Sequence, residues 1–150
     1  MNSLTIAPRR AADSEFIRVL SELVFAEYTR AAGHHTLRLS DDTRAVTLVA
    51  RLAGRAVGFA VISFEAPAVS LVAIAVEPAS RGLGIARRLL GSVEEEAARR
   101  GAGVMTLATA EANLAAIDLF LKAGYRMTGR LFRYYGRGQN AVGMRKRLKR

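Results

Sequence analysis

The sequence predicts a mixed α/β domain whose sheet is mostly antiparallel, and three stretches carry that prediction. From Val69 to Arg88 a run of small and β-branched apolar residues breaks at Glu77-Pro78, passes two glycines and resumes as an amphipathic helix. A strand therefore runs through a turn into a helix N-terminus. Ala45 to Leu52 and Ala56 to Phe64 read as strands joined across Gly54-Arg55, the pattern of a hairpin. Val104 to Ala108 reads as a short strand after the helix, closing a strand-helix-strand unit with parallel strands.

The remaining elements fall into place around these. Leu4 to Ala7 is a first strand ended by Pro8, and Asp13 is placed to cap a helix with an apolar face of Phe16, Ile17, Leu20, Leu23 and Val24. A second helical piece is expected over Phe25 to Ala32 with Gly33 as its stop, followed by a polar loop from His34 to Arg44. Ala66-Pro67 makes the turn into the central strand. The helix after the glycines buries Ala86, Leu89, Leu90, Val93 and Ala97 and ends at Gly101, with Glu95-Arg99 and Glu96-Arg100 spaced as ion pairs on its outer side. Asn113 is placed to cap a further helix with Ala116, Ile117 and Phe120 inward and Gly124 at its stop. Tyr125 to Tyr135 and Asn140 to Arg147 form a last hairpin, turning near Gly136 to Gly138.

A chain of 150 residues suits one domain, 1–150, with a core that needs no covalent staples. No apolar run approaches the ~18 residues of a membrane-crossing helix, and the N-terminus lacks the apolar stretch of a secretory signal. The expected location is the cytoplasm. Cysteine is absent, which excludes disulfides, Cys-ligated zinc and thiol nucleophiles. His34 and His35 are adjacent in a polar stretch and read as part of a solvated loop, so no metal is expected. The formal charge of +10 favours anionic partners without choosing among them. Its densest cluster, Met144 to Arg150, reads as a solvated basic tail rather than a nucleic-acid contact.

The glycine-containing junction has a chemistry of its own. The first N–H groups of a helix lack partners within it, and its aligned dipoles put positive charge at that end. Gly82 and Gly84 let the main chain approach a phosphate closely, and Arg81, Arg87 and Arg88 add full charges. The dinucleotide fingerprint fails because Arg87 stands at its third glycine, and the Walker pattern fails because no Lys-Ser or Lys-Thr follows.

The stretch V-x-P-x-x-R-G-x-G-I-A-x-x-L, Val76 to Leu89, closely resembles the acyl-CoA pyrophosphate motif of the GNAT N-acetyltransferases. A second signature of that family follows in Asn113, Ala116, Leu119, Phe120, Gly124 and Tyr125. Together the motifs cover the chain from about Val69 onward. The resemblance implies a sheet of about seven strands flanked by about four helices, with two strands splayed into a V that receives pantetheine. It implies acetyl-CoA as cosubstrate, with no metal. Backbone groups of Ile74, Ala75 and Val76 would hold pantetheine and the acetyl carbonyl. Arg81, Gly82, Leu83, Gly84, Ile85, Ala86 and Arg87 would hold the pyrophosphate. Asn113, also a helix cap, and Phe120 would lie near the thiol.

The implied reaction is direct transfer of acetyl to an amine, which requires a group to deprotonate the ammonium and favours an acid beside the leaving thiolate. Many relatives carry a tyrosine where this chain has Phe120, and some carry a glutamate where it has Ala108. The replacements considered are Glu111, acting through water or else an exposed turn residue, and Tyr134 and Tyr135. That pair resembles the tyrosines of protein N-terminal acetyltransferases that touch the acceptor backbone, although one of them would alternatively pack under the hairpin. The resemblance is closest to ribosomal-protein-alanine and protein N-terminal acetyltransferases. The expected function is N-acetylation of a protein or peptide N-terminus or a small amine by a monomer or homodimer, without membrane or nucleic acid. The alternative is a catalytically weak acyl-CoA-binding module of the same fold.

Overall fold

The computed structural model describes residues 3–65 and 67–149. Ala66, half of the expected Ala66-Pro67 turn, and Arg150, the last residue of the basic cluster, lie outside the described residues. Seven strands form one sheet: β1 (Leu4–Pro8), β2 (Ala45–Leu52), β3 (Arg55–Glu65), β4 (Ala68–Val76), β5 (Val104–Ala110), β6 (Arg126–Leu131) and β7 (Ala141–Arg147). Their order is β1-β2-β3-β4-β5-β7-β6, and β4 with β5 is the parallel pair among antiparallel neighbours. Four helices cover the two faces: α1 (Ser14–Phe25), α2 (Ala32–Ser40), α3 (Ile85–Arg99) and α4 (Leu114–Lys122).

Alternation along the strands feeds two cores. On one face Ala60, Ile62, Val69, Leu71 and Met105 pack with Leu89, Leu90 and Val93 of α3 and Phe120 of α4. On the other, Phe59, Val61 and Ala75 pack with Ile17 and Leu20 of α1. The sheet is thus buried on both sides at its centre, which explains the near-continuous apolar runs of β3 and β4.

The parallel pair runs only from Ala68 opposite Val104 to Leu71 opposite Leu107. Immediately afterwards β4 carries a bulge: Ile62 of β3 faces Leu71 and Val61 faces Ala73, leaving Val72 without an opposite number. A bulge bends and twists its strand. Beyond it, Ala73 to Val76 stay with β3 while Ala108 to Ala110 stay with β7, and the sheet opens between them. One side of β4 keeps unpaired main-chain donors and acceptors there, inside the domain.

Several expectations are corrected. The predicted Phe25–Ala32 helix and His34–Arg44 loop are replaced by a turn over 26–31 and the helix α2. Ala31 takes a left-handed conformation, φ 51°, that breaks the chain ahead of Ala32. Gly33 is no stop; it lies buried in the first turn of α2, where an added Cβ would sit 2.6 Å from the Arg18 carbonyl oxygen. It permits α2 to cross α1 closely, and its N–H donates to Glu22 Oε2 at 2.9 Å.

Asp13 does not cap α1. A 3₁₀ turn, Ala11–Asp13, precedes that helix, and the Asp13 carboxylate accepts from the Arg10 N–H at 2.8 Å and from Arg51 at 2.5 Å. Arg99 and Arg100 both turn to Glu96, at 2.6 and 3.6 Å, so the expected Glu95-Arg99 pair is not the one formed by Arg99. The basic cluster is not a tail over its first residues: Met144 to Arg147 belong to β7, with Met144 buried and Leu148 buried beyond it. Lys146 pairs with Glu94 of α3 at 2.8 Å. The strand expected over Tyr125–Tyr135 is shorter, since β6 ends at Leu131, and the following loop is pinned by Asn140 Oδ1 accepting from the Arg133 N–H.

Candidate active site

The junction between β4 and α3 is held open by its glycines. Gly82 and Gly84 have φ of 81° and 78°, a region where a side chain is strained, and no atom lies within 4 Å of the Cβ either would carry. The space in front of both is clear. Arg88 N–H donates to the Gly84 carbonyl at 3.1 Å, while Leu83 to Arg87 have no backbone acceptor for their N–H groups among the described residues. Ile85 is buried in the core and anchors the first turn of α3, and Leu83 is exposed beside the cradle. Arg81 Nε donates to the Val76 carbonyl at 3.2 Å, tying the loop to the strand end. Arg87 donates to the Lys122 carbonyl at 3.3 Å, joining α3 to the C-terminus of α4. A row of free main-chain donors at a helix N-terminus, flanked by arginines and open to approach, fits a pyrophosphate.

From the open sheet edge a cavity of about 710 Å³ extends through the sheet. On the α4 side its walls are Asn113, Ala116 and Phe120, with Ile74 from β4 and Ala108 to Ala110 from β5. Ala75 and Val76 continue the same β4 edge with their side chains buried in opposite cores. Asn113 caps α4 as expected, its Oδ1 accepting from the Ala116 N–H at 3.2 Å, and the residue also lines the cavity. Phe120 is buried against Tyr125, ring centroids 5.7 Å apart, and offers no proton. Tyr125 is committed elsewhere: its hydroxyl donates to Glu94 Oε2 at 2.7 Å, and burial followed by that carboxylate's charge pushes its pKa far above the usual phenol value.

On the α1 and α2 side the cavity is walled by Phe25, Tyr28, His35, Thr36 and Leu39, with Tyr134, Tyr135 and Gly136 from the β6–β7 loop. Two distant loops meet there. Arg137 N–H donates to the Tyr28 carbonyl at 3.2 Å, its guanidinium to the Ala26 carbonyl at 2.9 Å, and Gln139 Nε2 to the Glu27 carbonyl at 2.5 Å. Tyr135 contacts Tyr28 in a tilted pair and Tyr134 edge-on, with ring centroids 4.9 and 5.0 Å away. Burial, then the neighbouring phenols, push its pKa up to about 12. Tyr28 is raised as well, by burial and then by the charge of Glu27. Both phenols therefore keep their protons near neutral pH.

Glu111 stands apart from this arrangement. Its two carboxylate oxygens each accept from Arg130 at 2.8 Å, and it lines a second cavity of about 290 Å³ that shares Tyr28 and Ala110 with the first. No Asp, Glu, Lys or Arg occurs among the described residues lining the larger cavity. Tyr28, His35 and Thr36 were not among the residues expected there. Ala32, Thr36 and Leu39 do repeat at helical spacing, a signal masked by the polar residues between them.

An anion cradle at a strand-to-helix junction, a splayed sheet edge and a cavity with a second mouth define a transferase that works on a nucleotide thioester. The chain belongs to the acetyltransferase (GNAT) family, whose model matches residues 13–125. Members of this family use acetyl-CoA as cosubstrate, and this chain is accordingly an N-acetyltransferase of that class. Among solved structures it is similar to the ribosomal-protein-alanine N-acetyltransferase from Brucella melitensis, with 26% identity, TM-score 0.80, and coverage of 96% of this chain and 99% of that one. Ard1 from Thermoplasma volcanium is similar at 23% identity and TM-score 0.85, over 98% of this chain and 99% of that one. yncA from Salmonella typhimurium, solved with its cofactor acetyl-CoA, is similar at 23% identity and TM-score 0.83, over 97% and 94% of the two chains. No curated protein matches the sequence. No helix among the described residues is long and apolar enough to cross a membrane.

Proposed function

We propose that this enzyme acetylates the α-amine of a protein or peptide whose first side chain is small and uncharged. The observation that carries the proposal is the acceptor-side wall, which is aromatic and hydroxyl-rich and, among the described residues, holds no carboxylate. A polyamine brings extra cationic groups that an uncharged pocket leaves desolvated and unpaired, and a lysine side chain carries its amine on an apolar stem with no main-chain group beside it. A peptide N-terminus brings main-chain donors and acceptors that tyrosine hydroxyls match. The structures of a ribosomal-protein-alanine N-acetyltransferase and of Ard1 support this reading by likeness of fold.

Bound acetyl-CoA supplies an activated acyl carbonyl and a thiolate leaving group. The main-chain amides from Gly82 to Arg87, with Arg81 and Arg87 nearby, hold the pyrophosphate; the free edge at Ile74, Ala75 and Val76 orients pantetheine and the acyl oxygen. Asn113 and Phe120 bound the thiol end. Tyr134 and Tyr135 orient the acceptor, Tyr135 keeps its proton available to donate, and the loop clasp at Arg137 and Gln139 fixes the loop that carries them against the turn at 26–28. Glu111, bonded through both oxygens to Arg130, borders the smaller cavity and stays outside the transfer.

Free CoA release is the test, using peptides that begin with Ala, Ser, Thr, Gly or Met beside spermidine and a lysine-side-chain peptide. Release with the small N-termini and none above background with the polycations is the expected outcome. The opposite ranking disproves the acceptor assignment, and CoA binding with no release for any amine disproves turnover.

A further inference from the structure

Ala32, His35, Thr36 and Leu39 form one stripe of α2, and all four line the acceptor side of the cavity. The stripe is held in place at its start, where the His35 N–H donates to the Ala31 carbonyl at 3.0 Å and the Gly33 N–H to Glu22. His34, on the same helix, is not among the lining residues. The titratable side chains lining the cavity are His35, Tyr28, Tyr134 and Tyr135. Two of the phenols are shifted toward the protonated form, and the two carboxylates adjoining lining residues in sequence are both engaged and outside the lining: Glu27 bonds the Tyr28 side chain, and Glu111 is bonded through both oxygens to Arg130. Among the described lining residues His35 alone carries a basic nitrogen with a free lone pair, so it is the side chain of this wall suited to take a proton from an ammonium and pass it on.

We infer that His35 is the general base of this acetyltransferase, a role that rests on the amine-acetylating function proposed above. In the step, an imidazole nitrogen accepts one proton of the acceptor ammonium, directly or across one water. The freed lone pair forms the N–C bond to the acyl carbon while the C–S bond breaks. The nitrogen's remaining surplus proton passes to the departing sulfur, and the imidazolium returns its proton to solvent, to which exposed His35 is open. The charged groups around the helix are Glu22 and Arg18 from α1, Glu27 beside Tyr28 in the turn that precedes α2, Arg9 and Asp41 at its far end, His34 and Arg38 on α2 itself, and Arg137 in the loop clasp. Tyr28, Tyr134 and Tyr135 face the same cavity, and β4 and β5 contribute Ser70, Thr106 and Thr109, none of them charged.

The test compares wild type, H35Q and H34Q as full chains, with acetyl-CoA and an alanyl peptide. For H35Q, kcat/KM at pH 7 should fall about 100-fold and the deficit should shrink toward pH 9, where the peptide amine sheds its own proton. H34Q and the CoA affinity of H35Q, read by calorimetry, should stay within about twofold of wild type. Ring signals in histidine NMR give a readout independent of turnover: in CoA-saturated protein, peptide should shift the His35 resonance and leave His34 unmoved. Wild-type turnover with an unimpaired H35Q, or with a deficit equal at both pH values, or with an unmoved His35 ring, overturns the inference and leaves the proposed function standing. A wild type that releases no CoA with any amine overturns both.

Discussion

The two mouths of the candidate site, the cradle before α3 and the α1 and α2 side of the cavity, are built from different material. On the α3 and α4 side the working groups are main-chain: free amides from Leu83 to Arg87, and the open edge of β4 past the bulge at Val72. On the α1 and α2 side they are side chains delivered by separate segments, Tyr28 from one turn, His35 from a helix, and Tyr134 and Tyr135 from a loop some hundred positions later. Main-chain donors bind whatever presents the right oxygens, and side chains decide which acceptor fits. The first mouth suits a cosubstrate common to a whole family; the second can change without disturbing it.

Substitutions that separate the mouths should sharpen that contrast. The largest expected effect is on stability, at the ion pair that ties the turn before α1 to β2. Arg51→Ala leaves the Asp13 carboxylate buried beside β2 without its guanidinium, and unfolding in urea should register a loss of about 3 kcal/mol. The same pair carries a pH signature. Burial raises the Asp13 pKa, but the hydrogen bonds from Arg51 and the Arg10 N–H outweigh it, and the net shift is downward. Its contribution is therefore complete above the unfolded value of about 4 and is lost as pH falls through the lower folded value. Urea midpoints across that acid range should drop for wild type and flatten in R51A.

Next comes the cosubstrate mouth. Arg81→Ala combined with Gly84→Glu places a carboxylate in the cradle and removes a cation, and calorimetry should show CoA affinity lowered at least about 100-fold, some 2.7 kcal/mol. Circular dichroism should still show the fold, since the added Cβ meets no atom within 4 Å. Unchanged affinity would break the comparison at its root. A smaller effect is expected from Arg137→Ala, which cuts the clasp to Ala26: KM for peptide should rise about fivefold while CoA affinity holds, as befits a loss of acceptor-side binding alone. Smallest is Tyr125→Phe, which removes a buried hydrogen bond to Glu94 but leaves Lys146 on that carboxylate, and should cost about 1 kcal/mol in thermal or urea unfolding.

Legibility in the sequence followed the same division. The glycines at 82 and 84 advertise positive φ, and Asn113 advertises a cap; both features are local, and the structure has each where spacing put it. The parallel pair followed from strand-helix-strand connectivity and the number of strands from the family resemblance, while the placing of β7 between β5 and β6 was not legible. The acceptor side was misread because its signals are relational. Gly33 looks like a helix stop until α1 lies against it, and His34-His35 looks like loop until Ala31 and Glu22 start a helix there. Asp13 looks like a cap until Arg51 arrives from β2. Nor does any pattern around residues 26–29 announce that residues 135–139 will bond to their carbonyls.

By itself the sequence determined that this chain has a glycine-opened turn between a strand and a helix N-terminus, because backbone torsions and helix polarity are properties of adjacent residues. It determined the family on the same ground. Tertiary structure alone decided which groups face the acceptor, what holds Glu111 aside, and that a lone imidazole shares a wall with three phenols. Those are matters of distance between residues far apart in the chain, and burial and charge act through distance in space, whatever the spacing in sequence.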